Sequence, residues 1–530
     1  MRRINPSTLF EDAAERGSTL VHLDRPFDIT SEGRITYSAE QLADLVRDAA
    51  GWLAAVGARP GDRVAIVKGN HWDIDVLAYA AVRIGAIPAK IRNNLAPEAI
   101  QVLLQRLDAS VLITSTETLE AARSAGVDLA ALATTTLSID GPVPGALSLD
   151  SVRGQAPPPP HRRGDDEPLI VCPTSGTTGI PKLTLHSTTT IIRQLAQFEA
   201  RRWPVFGGRP DDTVASASAF SHGRTFCWTA VAFTVAPRHV VIVADDDPVR
   251  AGPVLRAHPP TILEALPATF IRWQPMAATP ANPFSDVRLY VSTYDAIHPP
   301  AVRSFLAASQ RPGAMFVHGW GQSETGPLTL RVFTRRALTT RGNRHPTTRN
   351  QGLPIPGKVG LRVVDPKTFR VLPPGQPGVI MARTKARCLG YLGEQQRWED
   401  KADGPWFNTG DIGIRTRTGS VVFLDREVDE IPGMSCVELE DVIDDRLADV
   451  LECVVLGTPD RPPLPVVITS DGRLDNAAWQ AAIRDLPPLA EPVILTWDEV
   501  PRTGTGKVRR LALREQLAGV GATHGTGRWT

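Results

Sequence analysis

The sequence predicts an α/β protein: a large N-terminal part of mixed sheets with flanking helices, followed by a small mobile α+β part. Three observations predict it. Helical and strand patterns alternate from residue 39 onward, apolar strand runs feed glycine-rich loops, and the pattern changes after Arg426. Residues 39–57 place Leu42, Leu45, Ala49, Trp52, Leu53 and Val56 at helical spacing and stop at Gly57. Pro60-Gly61-Asp62 then forms a turn, and Arg63–Lys68 reads as a short apolar strand. A second helix is expected over Ile74–Ile84, closed by Gly85. Residues 156–167 are a polar, proline-rich connector before the strand Pro168–Cys172. The same strand, loop and helix order is expected to about residue 420. Beyond it, a helix over Val437–Val450, a strand over Glu452–Gly457 and a last helix over Val508–Leu517 form the small part. The expected domains are 1–424 and 425–530, with a disordered tail after Gly519.

Composition narrows the function. A chain of 530 residues is too long for one simple core. A net charge of +1 offers no basic excess for nucleic acid. No apolar run approaches the ~18 residues of a membrane span, and Met1-Arg-Arg-Ile-Asn-Pro lacks the apolar core of a signal peptide. The five cysteines, Cys172, Cys227, Cys388, Cys436 and Cys453, are scattered and form no CxxC pair. They are expected to be reduced and buried in a cytoplasmic protein.

Two punctuated runs carry chemistry. Pro173-Thr-Ser-Gly-Thr-Thr-Gly-Ile-Pro-Lys182 follows an apolar strand. Its glycines allow close backbone approach, and its hydroxyls, amides and lysine suit phosphate oxygens. It is not a Walker A loop, because Ile180-Pro181 separate the last glycine from the lysine. The second run is Val500-Pro-Arg-Thr-Gly-Thr-Gly-Lys507. Lysine is scarce, eight among 58 basic residues, and two of the eight lie in these runs. A lysine kept where arginine is the default suits work for a compact point charge. Taken singly, a surface turn and a tail lysine are the plain alternatives.

Further motifs complete a family pattern. Ile35-Thr-Tyr37, Gly61-Asp62-Arg63-Val64 and Asn70 come first, then the run at 173–182, Gly319-Trp-Gly-Gln-Ser-Glu324, Trp406-Phe-Asn-Thr-Gly-Asp411, Arg426 and Lys507. In this order the chain resembles, over nearly its whole length, the acyl-adenylate-forming superfamily of acyl- and aryl-CoA synthetases, peptide-synthetase adenylation domains and luciferases. The resemblance implies an enzyme that uses ATP and Mg²⁺ to convert an acid to an adenylate with release of pyrophosphate. It implies that Thr174, Ser175, Gly176, Thr177, Thr178, Gly179 and Lys182 hold phosphates. By the same resemblance Trp320, Gly321 and Ser323 are expected to flank the nucleotide, Asp411 to reach the ribose, and Arg426 the ribose or phosphate. Glu324, with Thr177, is the implied magnesium ligand. Lys507 is the lysine that the resemblance implies neutralises charge developing at the α-phosphate. In Gly321-Gln-Ser-Glu-Thr325 the GxSxG elbow fails, so a serine hydrolase is not supported.

The acid pocket is implied at His222 and Arg224 of Ala217-Ser-Ala-Phe-Ser-His222-Gly-Arg224, and a core histidine is the alternative for His222. Ser221 stands where peptide-synthetase domains carry the aspartate that pairs an α-amino group, which disfavours an α-amino acid. Ser292-Thr-Tyr-Asp-Ala-Ile-His-Pro299 replaces the family's Gly-Gly-Ala-Pro loop. Tyr294 and Asp295 narrow the pocket toward a small acid, local repacking being the alternative. Lys182-Leu183 leans toward an aromatic acid, since aryl-acid members often carry Pro-Lys-Leu.

The run from Asp425 to Glu440 is shorter than the family's hinge and pantetheine-tunnel loop, with Val428 at a position usually Asp or Lys. The resemblance therefore implies adenylation with more force than transfer to CoA. The default acceptor is CoA or a carrier-protein thiol. The enzyme rival is a nitrite-activating diazotase acting on an arylamine. The rival of another class is an inactive nucleotide-binding protein, against which Lys507 and Glu324 are both present.

Overall fold

The computed structural model describes residues 3–174, 179–338, 346–426, 435–457 and 461–518. Ser175, Gly176, Thr177, Thr178, the segment 427–434 and the tail after Gly519 lie outside the described residues, as does the side chain of Arg426. The chain forms two compact units. The first comprises 1–264, 323–326 and 385–400, and the second 265–322, 327–384 and 401–530. The expected boundary at 424/425 falls inside the second unit.

The first unit holds an 8-stranded sheet ordered Gly390–Tyr391, Leu183–Ser187, Pro168–Pro173, Ile87–Arg92, Arg63–Lys68, Ala109–Thr114, Ala133–Ser138, Leu147–Ser148. Arg63–Lys68 pairs in parallel with both Ile87–Arg92 and Ala109–Thr114, as crossover helices require. The helices Ala39–Ala55 and Asp73–Arg83 match the sequence expectation within a residue or two. Ser38 starts the first by accepting from the Gln41 amide, with Gln41 closing the capping box. Leu103, Leu104 and Leu107 of the helix Pro97–Leu107 cover the sheet at Ala65, Val67 and Leu112. A second set of strands runs Thr213–Ala217, His239–Ile242, Leu20–Leu23, Thr36–Ser38, with the first three parallel.

In the second unit the expected strand and helix alternation stops at the helix Pro299–Ala308. Met315–Gln322 pairs in parallel with Leu289–Ser292. From Asn350 to Arg426 the described strands, Asn350–Pro354, Val359–Val364, Pro377–Thr384, Trp406–Arg415 and Val421–Arg426, pair antiparallel. The reason is local. Asp365–Arg370 and Pro373–Gln376 are turns too short for a crossover helix, so consecutive strands fold back on themselves.

The C-terminal part has the sheet order Val450–Leu456, Leu464–Thr469, Val493–Thr496. Helix Cys436–Arg446 ends four residues before the expected Val450, because Leu447 turns extended and Val450 is already in the strand. Helix Arg510–Ala518 closes the segment. All five cysteines are buried. Among the described residues no helix is long and apolar enough to cross a membrane.

Candidate active site

In the first unit the stem of the glycine-rich run 173–182 is closed by the Thr174 amide donating to the Lys182 carbonyl at 2.9 Å. The Lys182 amide donates to Thr174 Oγ1 at 3.0 Å. These bonds fix the lysine one register step from the strand Leu183–Ser187, so its ammonium is placed by a sheet. Its Nζ lies 3.5 Å from Glu324 Oε1, donates to Tyr391 Oη at 3.3 Å and sits over the Tyr391 ring. Tyr391 in turn donates its phenolic proton to Glu324 at 2.6 Å. Burial, then the Glu324 charge, pushes the Tyr391 hydroxyl far above its ordinary range, so it stays a donor.

The short segment carrying Ser323 and Glu324 is pinned through its backbone. His186 Nε2 donates to the Ser323 carbonyl at 2.9 Å, and the Cys388 amide donates to the Glu324 carbonyl at 2.7 Å. Burial holds the His186 imidazole down to about 4, so it is neutral at working pH. His222 caps the helix Gly223–Val235: its Nδ1 accepts from the Arg224 amide at 3.1 Å. That bond puts the ring proton on Nε2, which donates to Ser323 Oγ at 3.1 Å. Arg224 is buried and forked. Nε and Nη2 meet Glu264 at 2.7 and 2.6 Å, while Nη1 and Nη2 meet Glu199 at 2.5 and 2.8 Å. The two carboxylates hold the guanidinium in place.

In the second unit Asp411 is buried. Gln322 Nε2 donates to the Thr409 carbonyl at 2.6 Å and to Asp411 Oδ2 at 3.1 Å. The strand register sets Arg426 opposite Asp411, so the two expected ribose residues are cross-strand neighbours. Trp320 and Gly321 lie near the end of Met315–Gln322, with Trp320 packed on the cluster around Leu328 and Ile380.

Lys507 sits in a tight hairpin. The Thr503 amide donates to the Lys507 carbonyl at 2.7 Å, the Lys507 amide donates to Thr503 Oγ1 at 3.2 Å, and Gly506 takes φ +79°. Its Nζ lies 3.8 Å from Asp295 Oδ1. The preceding residue, Tyr294, holds φ +84°, a costly conformation for an aromatic residue. Beside them His318 is 4% exposed, and its Nδ1 has no partner among the described residues. Burial pushes it down to about 4, against the Asp295 charge, which raises it, and with the Lys507 charge, which lowers it further.

The predicted residues thus collect into two groups. Thr174, Lys182, Ser323, Glu324, His222 and Arg224 stand in one unit; Tyr294, Asp295, Trp320, Gly321, Asp411 and Lys507 stand in the other. Sequence reasoning missed Tyr391, His186, Gln322 and His318. Gln322 was within reach, since it lies inside the motif Gly319–Glu324. Tyr391 carries no local signal, because its role depends on strand Gly390–Tyr391 pairing with Leu183–Ser187.

Comparisons with known proteins show the family and the fold. The family model described as AMP-binding enzyme matches residues 10–392. The chain is 36% identical to a 3-amino-2-hydroxy-4-methoxybenzoate diazotase of Streptomyces cremeus, over 97% of this chain and 96% of that one. It is 28% identical to a 4-hydroxybenzoate–CoA/benzoate–CoA ligase of Rhodopseudomonas palustris, over 91% and 90%. The crystal structure of the anthranilate CoA ligase AuaEII in complex with anthranoyl-AMP shares the fold, with a TM-score of 0.79 at 22% identity over 97% of this chain and 98% of that one. This chain is therefore a member of the AMP-binding enzyme family, an adenylate-forming ligase of the acyl-adenylate superfamily.

Proposed function

We propose that this enzyme activates nitrite with ATP and delivers it to the amino group of a small aromatic amine, of the aminobenzoate class, in the cytoplasm. The observation that carries the reading is the 36% identity, over nearly the full length of both chains, to a diazotase. The shortened run 425–440 supports it, because an amine acceptor needs no pantetheine tunnel.

The chemistry balances as follows. A nitrite oxygen attacks the α-phosphorus of ATP and pyrophosphate leaves, giving a nitrosyl adenylate. The amine nitrogen then attacks the nitroso nitrogen, AMP departs, and a proton is released. The N-nitrosamine takes up a proton and loses water to give the diazonium ion. Lys507 is the candidate that neutralises charge in the first step, while Lys182 and the loop 174–179 hold the phosphates. Asp411 and Arg426 serve the ribose. Mg²⁺, when bound, would supply positive charge against the phosphates. Glu324 would be its carboxylate ligand and Thr177 its hydroxyl ligand, since this ion takes few protein ligands beside phosphate and water. Among the described residues no cluster of three acidic, histidine or cysteine ligands exists that would favour another metal. Residues 425–530 are proposed as a lid that brings Lys507 to the reacting phosphate.

The second reading is aryl-acid activation with transfer to CoA or a carrier thiol, supported by Lys182-Leu183 and the 28% identical benzoate–CoA ligase. One assay separates them. Pyrophosphate release is followed with nitrite plus an aminobenzoate, and with benzoates plus CoA, and the diazonium product is trapped by azo coupling. Nitrite-dependent release with an azo product supports the proposal. Thioester formation without nitrite-dependent release overturns it in favour of the second reading.

A further inference from the structure

The helix Cys436–Arg446 has two unlike faces. Cys436, Leu439, Ile443 and Leu447 pack with Cys453, Val455 and Trp479 in the core of the C-terminal part. The opposite face carries acids at helical spacing, Glu438, Asp441 and Asp445, with Asp444 beside them. A solvated acidic stripe would be ordinary. This one is withdrawn from water at its centre: Asp441 is 0% exposed and the Asp445 side chain 4%.

Each acid meets a donor on other parts of the second unit. His298 Nδ1 donates to Asp441 Oδ1 at 2.8 Å, and Thr348 donates to Asp441 Oδ2 from its amide at 2.8 Å and to Oδ1 from its hydroxyl at 3.1 Å. Arg303 lies 2.5 Å from Asp445, and Arg349 lies 2.9 Å from Glu438. Four donor residues from two separate stretches, 298–303 and 348–349, thus converge on one helix face. Buried ion pairs add little net stability, because desolvation cancels most of the attraction, but they are intolerant of misplacement. In some proteins their return is a single fixed geometry rather than added stability.

The same helix is tied rigidly to the Lys507 hairpin. Glu440, on the flank between the two faces, accepts from Arg510 at 2.7 Å and from the Val455 amide at 2.8 Å. Arg510 opens the helix that follows Lys507. On the other side of the hairpin Arg502 donates to Glu452 at 2.5 Å and to the Gly506 carbonyl at 3.1 Å. A displacement of the acidic face therefore moves Lys507 away from Asp295.

We propose that the acidic face of helix Cys436–Arg446, docked on His298, Arg303, Thr348 and Arg349, is a positioning device that holds Lys507 at Asp295 for acid activation. The inference rests on the adenylation reading for its kinetic consequence, and on geometry alone for the placement of Lys507. None of these residues touches a substrate; they act through Lys507.

The test uses the full-length enzyme and two variants, Asp441→Asn and Arg303→Gln. Arg303 is itself half-exposed, but the change leaves the buried Asp445 without its cation, so the second variant also lowers the Tm and its labelling is read against that fall. Two readouts are taken together with the apparent Tm. The first is labelling of Lys507 by an amine-reactive reagent, followed by peptide mass spectrometry. The second is acid-dependent ATP–pyrophosphate exchange. The expected result is faster Lys507 labelling in both variants, with unchanged KM for ATP. Exchange falls on the order of 10²-fold for Asp441→Asn, the scale of a ~1 Å misplacement, and less for Arg303→Gln. Lys507 labelling unchanged in both variants overturns the inference, as does loss of exchange that follows a fallen Tm while Lys507 stays protected. Absence of exchange in the wild type with nitrite and with every carboxylic acid overturns the proposed activity instead, and the labelling result still decides the positioning role.

Discussion

Replacing Arg224 with leucine separates a supporting role from a substrate-binding one. Its guanidinium is shared between Glu264, 3% exposed, and Glu199, whose side chain is 41% exposed. Only Glu264 is stranded by the change, because water and counterions screen Glu199. Removing one partner of a buried pair costs about 3–5 kcal/mol. At roughly 2–4 °C per kcal/mol for a domain of a few hundred residues, the apparent Tm falls by on the order of 10 °C. The sign with pH follows from Glu264, whose carboxyl burial already pushes up. In the variant its folded pKa stands above the unfolded value, so the penalty is absent below the unfolded value and grows as pH rises through the folded one. The deficit is therefore smaller at pH 5 than at pH 8. A second change, Glu264→Gln, recovers most of the loss in Arg224→Leu while costing stability by itself. Differential scanning fluorimetry across pH on the four proteins measures the cycle. An Arg224→Leu protein as stable as wild type, with a raised KM for the amine or acid, refutes the reasoning and returns Arg224 to the substrate pocket.

Tyr391→Phe removes a 2.6 Å donor from Glu324, a bond to a charged group worth about 1.5–3 kcal/mol, so half-saturation of pyrophosphate release by Mg²⁺ moves to at least roughly tenfold higher concentration. An unchanged Mg²⁺ titration refutes that coupling. For His298, burial alone would lower its pKa, but the Asp441 bond and the Asp444 and Asp441 charges raise it to about 10. Its stabilisation is full below about 6.5, the ordinary value, and is lost as pH rises toward 10. The apparent Tm of the wild type therefore falls more steeply between pH 7 and 10 than that of His298→Gln, as fluorimetry will read. Gly506→Ala places a Cβ 2.7 Å from that of Ala268 at φ +79°, a strain of roughly 1–3 kcal/mol. Pyrophosphate release falls while the ATP KM holds; wild-type turnover would contradict the hairpin's positioning role.

The local grammar of the sequence carried the parallel half of the fold well. Arg63–Lys68 and Asp73–Arg83 are bounded by Gly57, Pro60-Gly61 and Gly85, so period and punctuation agree. The antiparallel stretch after Asn350 was not legible as such, since strand direction is set by connection length rather than by side-chain pattern. At the site, compact motifs made Lys182, Glu324, Asp411 and Lys507 candidates from the sequence alone. Partners that arrive through tertiary pairing were not. Tyr391, His298 and Asp441 acquire their roles only when distant strands or helices meet, and nothing at positions i±4 announces it.

The scarcity of lysine and the burial of every cysteine have a consequence for an enzyme that generates an electrophile. Cys172 and Cys227 are pushed up to about 12 by burial, so they are neutral thiols out of reach. Of the eight lysines, Lys68 and Lys90 are buried against aspartates, Lys507 is nearly so, and only Lys367 and Lys385 are exposed. Arginine supplies the remaining surface cations, and its guanidinium stays protonated and unreactive. Among the described residues the exterior is therefore poor in the amines and thiols that an activated acyl group attacks.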